Sequence, residues 1–357
     1  MIYELNARPD LVPPDAPQPP YRVHDGFVKD RYDRKVRFNG PQLVSANMLA
    51  YSQPKFEQAH IDRIRSLGFR FVYSSSWIGT IEDEETGYLD QDKLALYFPY
   101  MDMAASAGLQ WIYRFRVSHG PTGDEARWDG WWDAKDMLSP EGIDRFNRYV
   151  NWAIPILESE YGDMIPAYHV WQWPFHRCPL NTGELDYLYS TTLPEILRNA
   201  RTLTSKPLIV SPYMSQPENF EQLPHYDFDD NLIYSFAFYL PQHHSNQNPT
   251  PWEGNQAEID HQWEWLRYVI RMKEENNVPL NVVEFGGRRE SISSIDKLRT
   301  KLDILEYLDA GYCLWSWGCQ YQNDDPEFVN FNSYYRNWVP KHRYMELMKA
   351  YSNWRVK

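Results

Sequence analysis

Short apolar runs alternate with longer segments of helical periodicity along the chain, and eight such runs occur from residue 42 onward. Runs of β-branched and aromatic residues bounded by turn residues are typical of strands, whereas apolar residues three and four positions apart are typical of helices. The predicted strands are 43–48, 69–73, 109–115, 165–172, 208–211, 232–239, the run from 280, and 312–317. The predicted helices are 54–67, 91–107, 140–161, 185–203, 257–275, 293–309 and 341–354.

This alternation predicts an α/β fold, a single (β/α)8 TIM barrel over residues 41–357. The alternative is an open, doubly wound sheet, which usually carries a glycine-rich turn after its first strand. We rank it lower because the first predicted strand continues into Leu49-Ala50-Tyr51-Ser52. Residues 1–40 are polar and hold six prolines between Pro9 and Pro20, which predicts an extended N-terminal arm.

The apolar run that starts after Pro279 stops at Glu284, and two glycines follow one residue later. Glu284 would therefore stand at the C-terminal end of a buried strand, where barrel enzymes build their active sites. A buried carboxylate is costly unless it is paired or takes part in chemistry. Glu284 is thus a candidate catalytic carboxylate, and the alternative is a strand-end acid paired with Arg288 or Arg289.

Aromatic residues are unusually frequent, with 15 tryptophans and 26 tyrosines. Rings at the C-terminal face of a barrel can stack on the apolar faces of sugars, although many rings simply fill the core. The tryptophans predicted at strand ends or in loops on that face are Trp77, Trp128, Trp131, Trp132, Trp173, Trp252 and Trp317.

The net charge of -13 argues against a nucleic-acid partner, because phosphates demand a basic surface. No apolar stretch is long enough for a membrane span, and no signal peptide is visible, so we expect a cytoplasmic protein, or a secreted one if a leader has been removed. The three cysteines have no pairing pattern and are expected to be reduced. No His-x-His marks the first strand, and the adjacent His243 and His244 would point apart, so we expect neither metal nor cofactor.

Four segments in order along the chain resemble glycoside hydrolase family 5, within the clan of retaining barrel glycosidases. They are Phe38-Asn39-Gly40, residues 230–239, Val283-Glu284-Phe285-Gly286 and Leu314-Trp315-Ser316-Trp317. The resemblance covers about residues 38–320. It implies a barrel in which Glu284 stands at the nucleophile position of the seventh strand, with Tyr239 on the sixth. It also implies that Trp317 floors the subsite for the cleaved sugar.

The fourth strand departs from the family pattern. The family ends this strand in Asn-Glu-Pro, where Glu is the general acid/base, but residues 171–174 here read Trp-Gln-Trp-Pro. Gln172 therefore takes the Asn position, and Trp173 takes the acid/base position. Three further positions of the family's usual set are also substituted, and they are Tyr73, Arg116 and Ala237.

Retaining cleavage needs two carboxyl groups about 5–5.5 Å apart. An indole does not give up its proton near neutral pH, so Trp173 cannot act as the acid. Three outcomes remain open. Another group could supply the proton, and His176 is the nearest titratable residue, unless it is an ordinary loop histidine; Glu184, Asp186 and His119 lie further away. The substrate could instead have a good leaving group, or the barrel could have lost hydrolysis.

Arg114 and Arg116 occupy alternate positions of the third strand, so both should face the same side. Inside the barrel they could clamp a carboxylate, sulfate or phosphate of an anionic substrate. Alternatively, they pair with Glu284 or another acid and fill the barrel mouth.

Together these observations predict a carbohydrate-active barrel that acts on or binds a glycoside, with Glu284 as the nucleophile or its remnant. The alternatives are an inactive glycan-binding or structural barrel and a different reaction on an anionic substrate. A homo-oligomer formed through the N-terminal arm is also predicted. The predicted catalytic residues are Glu284, His176 and Tyr239. The predicted substrate-binding residues are Trp173, Gln172, Arg114, Arg116, Trp317, Trp77, Trp131 and His119.

Overall fold

The N-terminal segment forms a small antiparallel sheet in a computed structural model that describes residues 16–43, 57–83, 86–116, 134–172, 180–239, 254–285, 292–314 and 342–356. Its strands are β1 (Arg22–His24), β2 (Phe27–Lys29) and β3 (Lys35–Val36), in the order β1-β2-β3. The prediction of an extended arm is therefore wrong for this part, because the Asp25-Gly26 turn folds the chain back on itself. Residues 1–15 lie outside the described residues, so oligomerisation through them stays a prediction.

Eight parallel strands form the main sheet, and the prediction of a (β/α)8 TIM barrel is confirmed. Around the barrel the strands follow the order β4-β11-β10-β9-β8-β7-β6-β5. They are β4 (Asn39–Pro41), β5 (Phe71–Trp77), β6 (Gln110–Arg116), β7 (Tyr168–Gln172), β8 (Leu208–Val210), β9 (Leu232–Phe238), β10 (Leu280–Phe285) and β11 (Gly311–Leu314).

β4 and β5 stand at the two ends of this order, and the seam between them is closed just beyond β4. Gln42 forms a parallel bridge with Tyr73, and the Leu43 amide donates to the Tyr73 carbonyl at 2.8 Å. The first barrel strand therefore lies at Asn39–Pro41 rather than at 43–48. Of that predicted run, residues 44–48 lie outside the described residues.

Helices flank the strands, and three predicted helices are interrupted. Turns precede Pro99 and follow Trp265, and a π-helical segment at Leu188–Thr192 precedes Pro194. A proline lacks the amide that would continue the preceding helix, which explains two of the three breaks. The helices are α1 (Gln58–Ser66), α2 (Ile78–Ile81), α3 (Gln91–Ala95), α4 (Phe98–Ser106), α5 (Pro140–Tyr161), α6 (Thr182–Tyr187), α7 (Leu193–Arg201), α8 (Gln256–Trp265), α9 (Arg267–Asn276), α10 (Ile292–Tyr307) and α11 (His342–Tyr351).

The N-terminal sheet covers the end of the barrel opposite to the strand C-termini. Tyr21 donates to the Gln110 side chain at 2.5 Å, and the Val23 amide donates to Asn231 at 2.7 Å. Both acceptors lie at the start of a barrel strand or just before it. The apolar residues that share this inner core are Tyr21, Val28, Val36, Phe38, Phe71, Tyr73, Ile112, Ala167, Ile209, Ile233, Cys313 and Trp354. These side chains thus fill the barrel at the N-terminal end of its strands, which leaves the end at the strand C-termini for a site.

Replacing Gly40 with alanine should strongly destabilise the barrel, because the new Cβ would lie 2.1 Å from the Phe71 carbonyl oxygen at the seam. We expect a loss of about 1–3 kcal/mol or more in the free energy of unfolding, measured by urea denaturation. Gly183→Ala is the control, since its Cβ would meet no atom closer than 3.5 Å. Equal stability of the two variants would contradict this account of the seam.

Candidate active site

A β-bulge in β10 turns Glu284 into the barrel. Leu280, Val282 and Phe285 all belong to the core outside the sheet, between strands and helices. The pairing with β9 passes from Val282–Phe236 directly to Glu284–Ala237, so Val283 has no counterpart on β9. Strict alternation would put Glu284 on the same face as Val282. The extra residue reverses that, as bulges near active sites commonly do.

A second bulge, in β7, turns Gln172 toward the same point. Tyr168, Val170 and Trp171 belong to the outer core. In the pairing with β6, Arg114 lies opposite His169 and Arg116 lies opposite Gln172. Between these two pairs, β7 has one residue more than β6. His169 and Gln172 therefore both face the interior. The two bulges bring Gln172 and Glu284 together from opposite sides of the barrel.

Glu284 is only 4% exposed, and both of its carboxylate oxygens are engaged. The Gln172 side-chain amide donates to Oε1 at 2.9 Å, and a guanidinium nitrogen of Arg116 lies 3.7 Å from the same oxygen. The Tyr239 hydroxyl donates to Oε2 at 3.5 Å. An arginine does pair with Glu284, but it comes from the third barrel strand; Arg288 and Arg289 lie outside the described residues.

Tyr239 acts as a donor here because its phenol is held protonated. Burial, reinforced by the negative charge of Glu284, raises the pKa of Tyr239 well above its ordinary value. The hydroxyl therefore keeps its proton at neutral pH and can stabilise a carboxylate.

Arg114 and Arg116 do face the same side of β6, as alternation predicts, but they lie at different depths. Arg114 is fully buried, and its partners are the carbonyls of Val283 and Ser74 and the side chain of Gln42. These contacts with protein groups do not support the two-arginine clamp for an anionic group that the sequence suggested, and that clamp stays a prediction. Arg116 stands one layer higher, beside Glu284.

Below Glu284, a polar layer crosses the barrel. Each of the eight barrel strands, or the residue directly after it, contributes one side chain to this layer. These residues are Gln42, Tyr73, Arg114, His169, Ser211, Ser235, Asn281 and Cys313. Burial raises the pKa of the Cys313 thiol to about 12, so this cysteine stays a protonated, unreactive thiol.

His169 was not predicted as a site residue from the sequence. It lies between the apolar residues Tyr168 and Val170, and a polar residue between two apolar ones in a barrel strand is a signal that its side chain faces the interior. Its Nε2 lies 2.9 Å from the Ser211 hydroxyl oxygen. Burial, and next the positive charge of Arg114, lower the pKa of His169 well below its ordinary value. The ring is therefore neutral in the folded state at neutral pH.

One side-chain atom of Gln172 lacks a hydrogen-bond partner among the described residues. Its Nε2 is used by Glu284, but its buried Oε1 has no partner among the described residues. A buried acceptor without a donor is costly. A ligand hydroxyl at the mouth would satisfy it.

Several predicted site residues lie outside the described residues, and these are His119, Trp131, Trp173, His176 and Trp317. Trp77 ends β5, but only its backbone belongs to the described part. The structure thus brings together Glu284, Gln172, Arg116 and Tyr239, with Arg114 beneath them. Their roles stay predictions.

A family model for cellulase (glycosyl hydrolase family 5) matches residues 144–320. The chain is therefore similar to glycoside hydrolase family 5 over this segment. Glu284, Gln172 and Tyr239 all fall inside the matched segment, whereas Arg114 and Arg116 precede it. No curated protein matches this family 5-like chain.

Solved structures similar to this family 5-like barrel include several endoglucanases. A hyperthermophilic endo-β-1,4-glucanase in complex with substrate is 18% identical, with a TM-score of 0.67 over 88% of this chain and 97% of the other. A broad-specificity endoglucanase from Clostridium acetobutylicum is 15% identical, with a TM-score of 0.70 over 89% and 97%. Cel5A of Thermotoga maritima in complex with cellobiose is 15% identical, with a TM-score of 0.66 over 87% and 97%. These likenesses establish the fold.

Within the described residues, no group of three or more His, Cys, Asp or Glu side chains is arranged to hold a metal ion. In the same part of the chain, no helix has the length and hydrophobicity to cross a bilayer.

The buried neutral His169 makes stability depend on pH. Between its low folded pKa and the ordinary value of 6.5, unfolding takes up a proton at this residue. The contribution of His169 to the free energy of unfolding is fully present above that ordinary value. As the pH falls below it, this contribution is lost by up to about 1.4 kcal/mol per pH unit. His169→Gln should remove this part of the pH slope in urea unfolding measured from about pH 5 to about pH 7.5.

The control for this experiment is His225→Gln, which changes an exposed histidine beside Asp227. It should retain the wild-type slope. If wild type and His169→Gln have the same slope, the neutral, buried state of His169 is refuted.

Proposed function

We propose that this barrel is a carbohydrate-active, glycoside hydrolase-like protein that acts on or binds a glycoside at the mouth around Glu284. One observation carries the proposal. An inward-facing carboxylate stands at the C-terminal end of the seventh barrel strand and receives hydrogen bonds from Gln172 and Tyr239. The match of residues 144–320 to the cellulase family model supports the same substrate class.

In this proposal, Glu284 attacks the anomeric carbon and forms a glycosyl ester, as the nucleophile of a retaining enzyme does. Arg116 and Tyr239 hold the carboxylate in position until the sugar arrives. The Gln172 amide orients Oε1 of Glu284. The Oε1 of Gln172, which has no partner among the described residues, accepts a hydrogen bond from a sugar hydroxyl. The positive charge of Arg116 also suits a substrate with an anionic substituent near this carboxylate.

The general acid of this proposal is non-standard or missing. The partners of Glu284 in the described part are an amide, a guanidinium and a phenol, with no second carboxyl group among them. Trp173 stands where the family carries its acid. His176, three residues further on, is the group we propose for proton delivery if the chain hydrolyses ordinary glycosides.

A second candidate function is an inactive barrel that binds glycans. The observation in its favour is that both oxygens of Glu284 are held by protein groups, as in an ion pair that only stabilises the strand end. Turnover decides between the two functions.

Glu284→Gln should abolish turnover of aryl glycosides, because an amide cannot form the glycosyl ester. The similar structures are endoglucanases, so activated aryl cellobiosides come first, followed by aryl glycosides of acidic sugars. A 2-fluoro glycoside should label Glu284, as detected by peptide mass spectrometry. Glu82→Gln is the matched control, since Glu82 is also a buried carboxylate, paired with Arg145 and Arg148 on α5.

A wild-type protein that is not labelled and turns over none of these substrates would contradict the hydrolase function. Binding to glycan arrays that Glu284→Gln leaves unchanged would then support the inactive barrel.

Dependence on the leaving group tests the state of the acid. Without a general acid, dinitrophenyl glycosides should be cleaved at least about 10²–10⁴-fold faster than alkyl glycosides of the same sugar, since this is the range that acid assistance supplies. His176→Ala should then leave the dinitrophenyl rate unchanged. Similar rates for both substrate types in wild type, together with loss of the alkyl rate in His176→Ala, would instead identify His176 as the acid.

A further inference from the structure

We infer that Arg114 is a positioning residue, which holds the bulge of β10 in the form that turns Glu284 into the barrel. The inference deepens the proposed function, and its consequence for activity rests on that function. It assigns Arg114 to the protein backbone rather than to the substrate.

The contact that carries this inference lies at the bulge itself. A guanidinium nitrogen of Arg114 donates to the carbonyl oxygen of Val283 at 2.7 Å. Val283 is the residue without a counterpart on β9, and it directly precedes Glu284. A bulge removes backbone groups from the regular ladder, so a buried carbonyl there needs a donor from elsewhere. Arg114 supplies one from across the barrel.

Arg114 is itself fixed by the strands around it. A second guanidinium nitrogen donates to the side chain of Gln42, which follows β4, and Nε donates to the Ser74 carbonyl of β5 at 3.4 Å. The ring of Tyr73 lies below the guanidinium, with its centroid 5.7 Å from Cζ. All three nitrogens of the guanidinium group thus have protein acceptors, and the fully buried side chain has no surface for a ligand.

Strand β10 has a second inner attachment two residues earlier. The hydroxyl of Tyr73 donates to Asn281 Oδ1 at 3.1 Å. Asn281 is therefore held by a side chain of β5, and Val283 by a side chain of β6. Glu284 is the next residue along the strand, so any shift at Val283 is passed on to its carboxylate.

Arginine suits this position because its planar group offers donors in three directions at once. A lysine carries one compact ammonium on a flexible stem and cannot reach acceptors on three strands together. Methionine retains much of the apolar stem and offers no donor. Arg114→Lys therefore removes the planar guanidinium but keeps a donor, whereas Arg114→Met removes every donor.

The test uses Arg114→Met, Arg114→Lys and a control, Arg37→Met. Arg37 is also a buried arginine that donates to backbone carbonyls, those of Asn353 and Arg355, at the opposite end of the barrel. For each protein we would measure kcat and KM on an activated aryl glycoside, the rate of labelling by the 2-fluoro glycoside, and the strand register by crystallography.

We expect Arg114→Met to lower kcat and the labelling rate by about 10²-fold with little change in KM, the size expected for a misplacement of about 1 Å. Its crystal structure should show β10 without the Val282–Glu284 register shift, or Glu284 separated from Gln172. Arg114→Lys should lie between it and wild type. Arg37→Met should label at the wild-type rate even if it is less stable.

Wild-type labelling and an unchanged register in Arg114→Met would overturn the inference. If Arg114→Met does not fold, Arg114→Lys decides by the same two measurements. If wild-type protein turns over no glycoside, the hydrolase function fails, while the register comparison still decides the role of Arg114.

Discussion

The candidate site depends on the hydrogen bond between Gln172 and Glu284, which two strands on opposite sides of the barrel provide. Neither residue would face the interior without a local departure from strand alternation. Each bulge costs regular backbone pairing, and the barrel offsets that cost with interior donors and acceptors. At the bulge of β10, the donor is Arg114 of the polar layer, which binds the Val283 carbonyl.

The interior of the barrel is graded along its axis. Apolar side chains and the N-terminal sheet fill one end, the polar layer lies above them, and the charged group around Glu284 and Arg116 lies at the mouth. The carboxylate of Glu284 lies close to an arginine and a phenol, and removing one of these partners would leave a buried group with less compensation. In the proposed function this arrangement holds the nucleophile in place, and the partners of Glu284 among the described residues include no second acid.

The fold could be predicted from the sequence because period-two and period-3.6 patterns are local properties. The predicted helix 140–161 shows this, since it is found at Pro140–Tyr161 and the hydroxyl of Ser139 before it accepts the Gly142 amide. The predictions of the first strand and of an extended chain over the described part of the N-terminal segment were wrong, because short strands made of residues such as Asn39 and Gly40 have no apolar periodicity.

The site was only partly predictable. Glu284 was predicted from its place at the end of the seventh apolar run and from the resemblance to a family, whereas strict alternation would have turned it outward with Val282. Bulges depend on which carbonyls find interior donors, and that is a property of the folded barrel. For the same reason the hydrogen bond from Arg114 to the Val283 carbonyl could not be predicted, and His169 was missed.

A double-mutant cycle between Gln172 and Glu284 tests the central contact most directly. Unfolding free energies of wild type, Gln172→Ala, Glu284→Ala and the double variant give the coupling between the two side chains. The account predicts a coupling of about 1.5–3 kcal/mol, as for a buried hydrogen bond to a charged group. A coupling near zero would mean that the two side chains do not meet inside the barrel, and it would contradict the account.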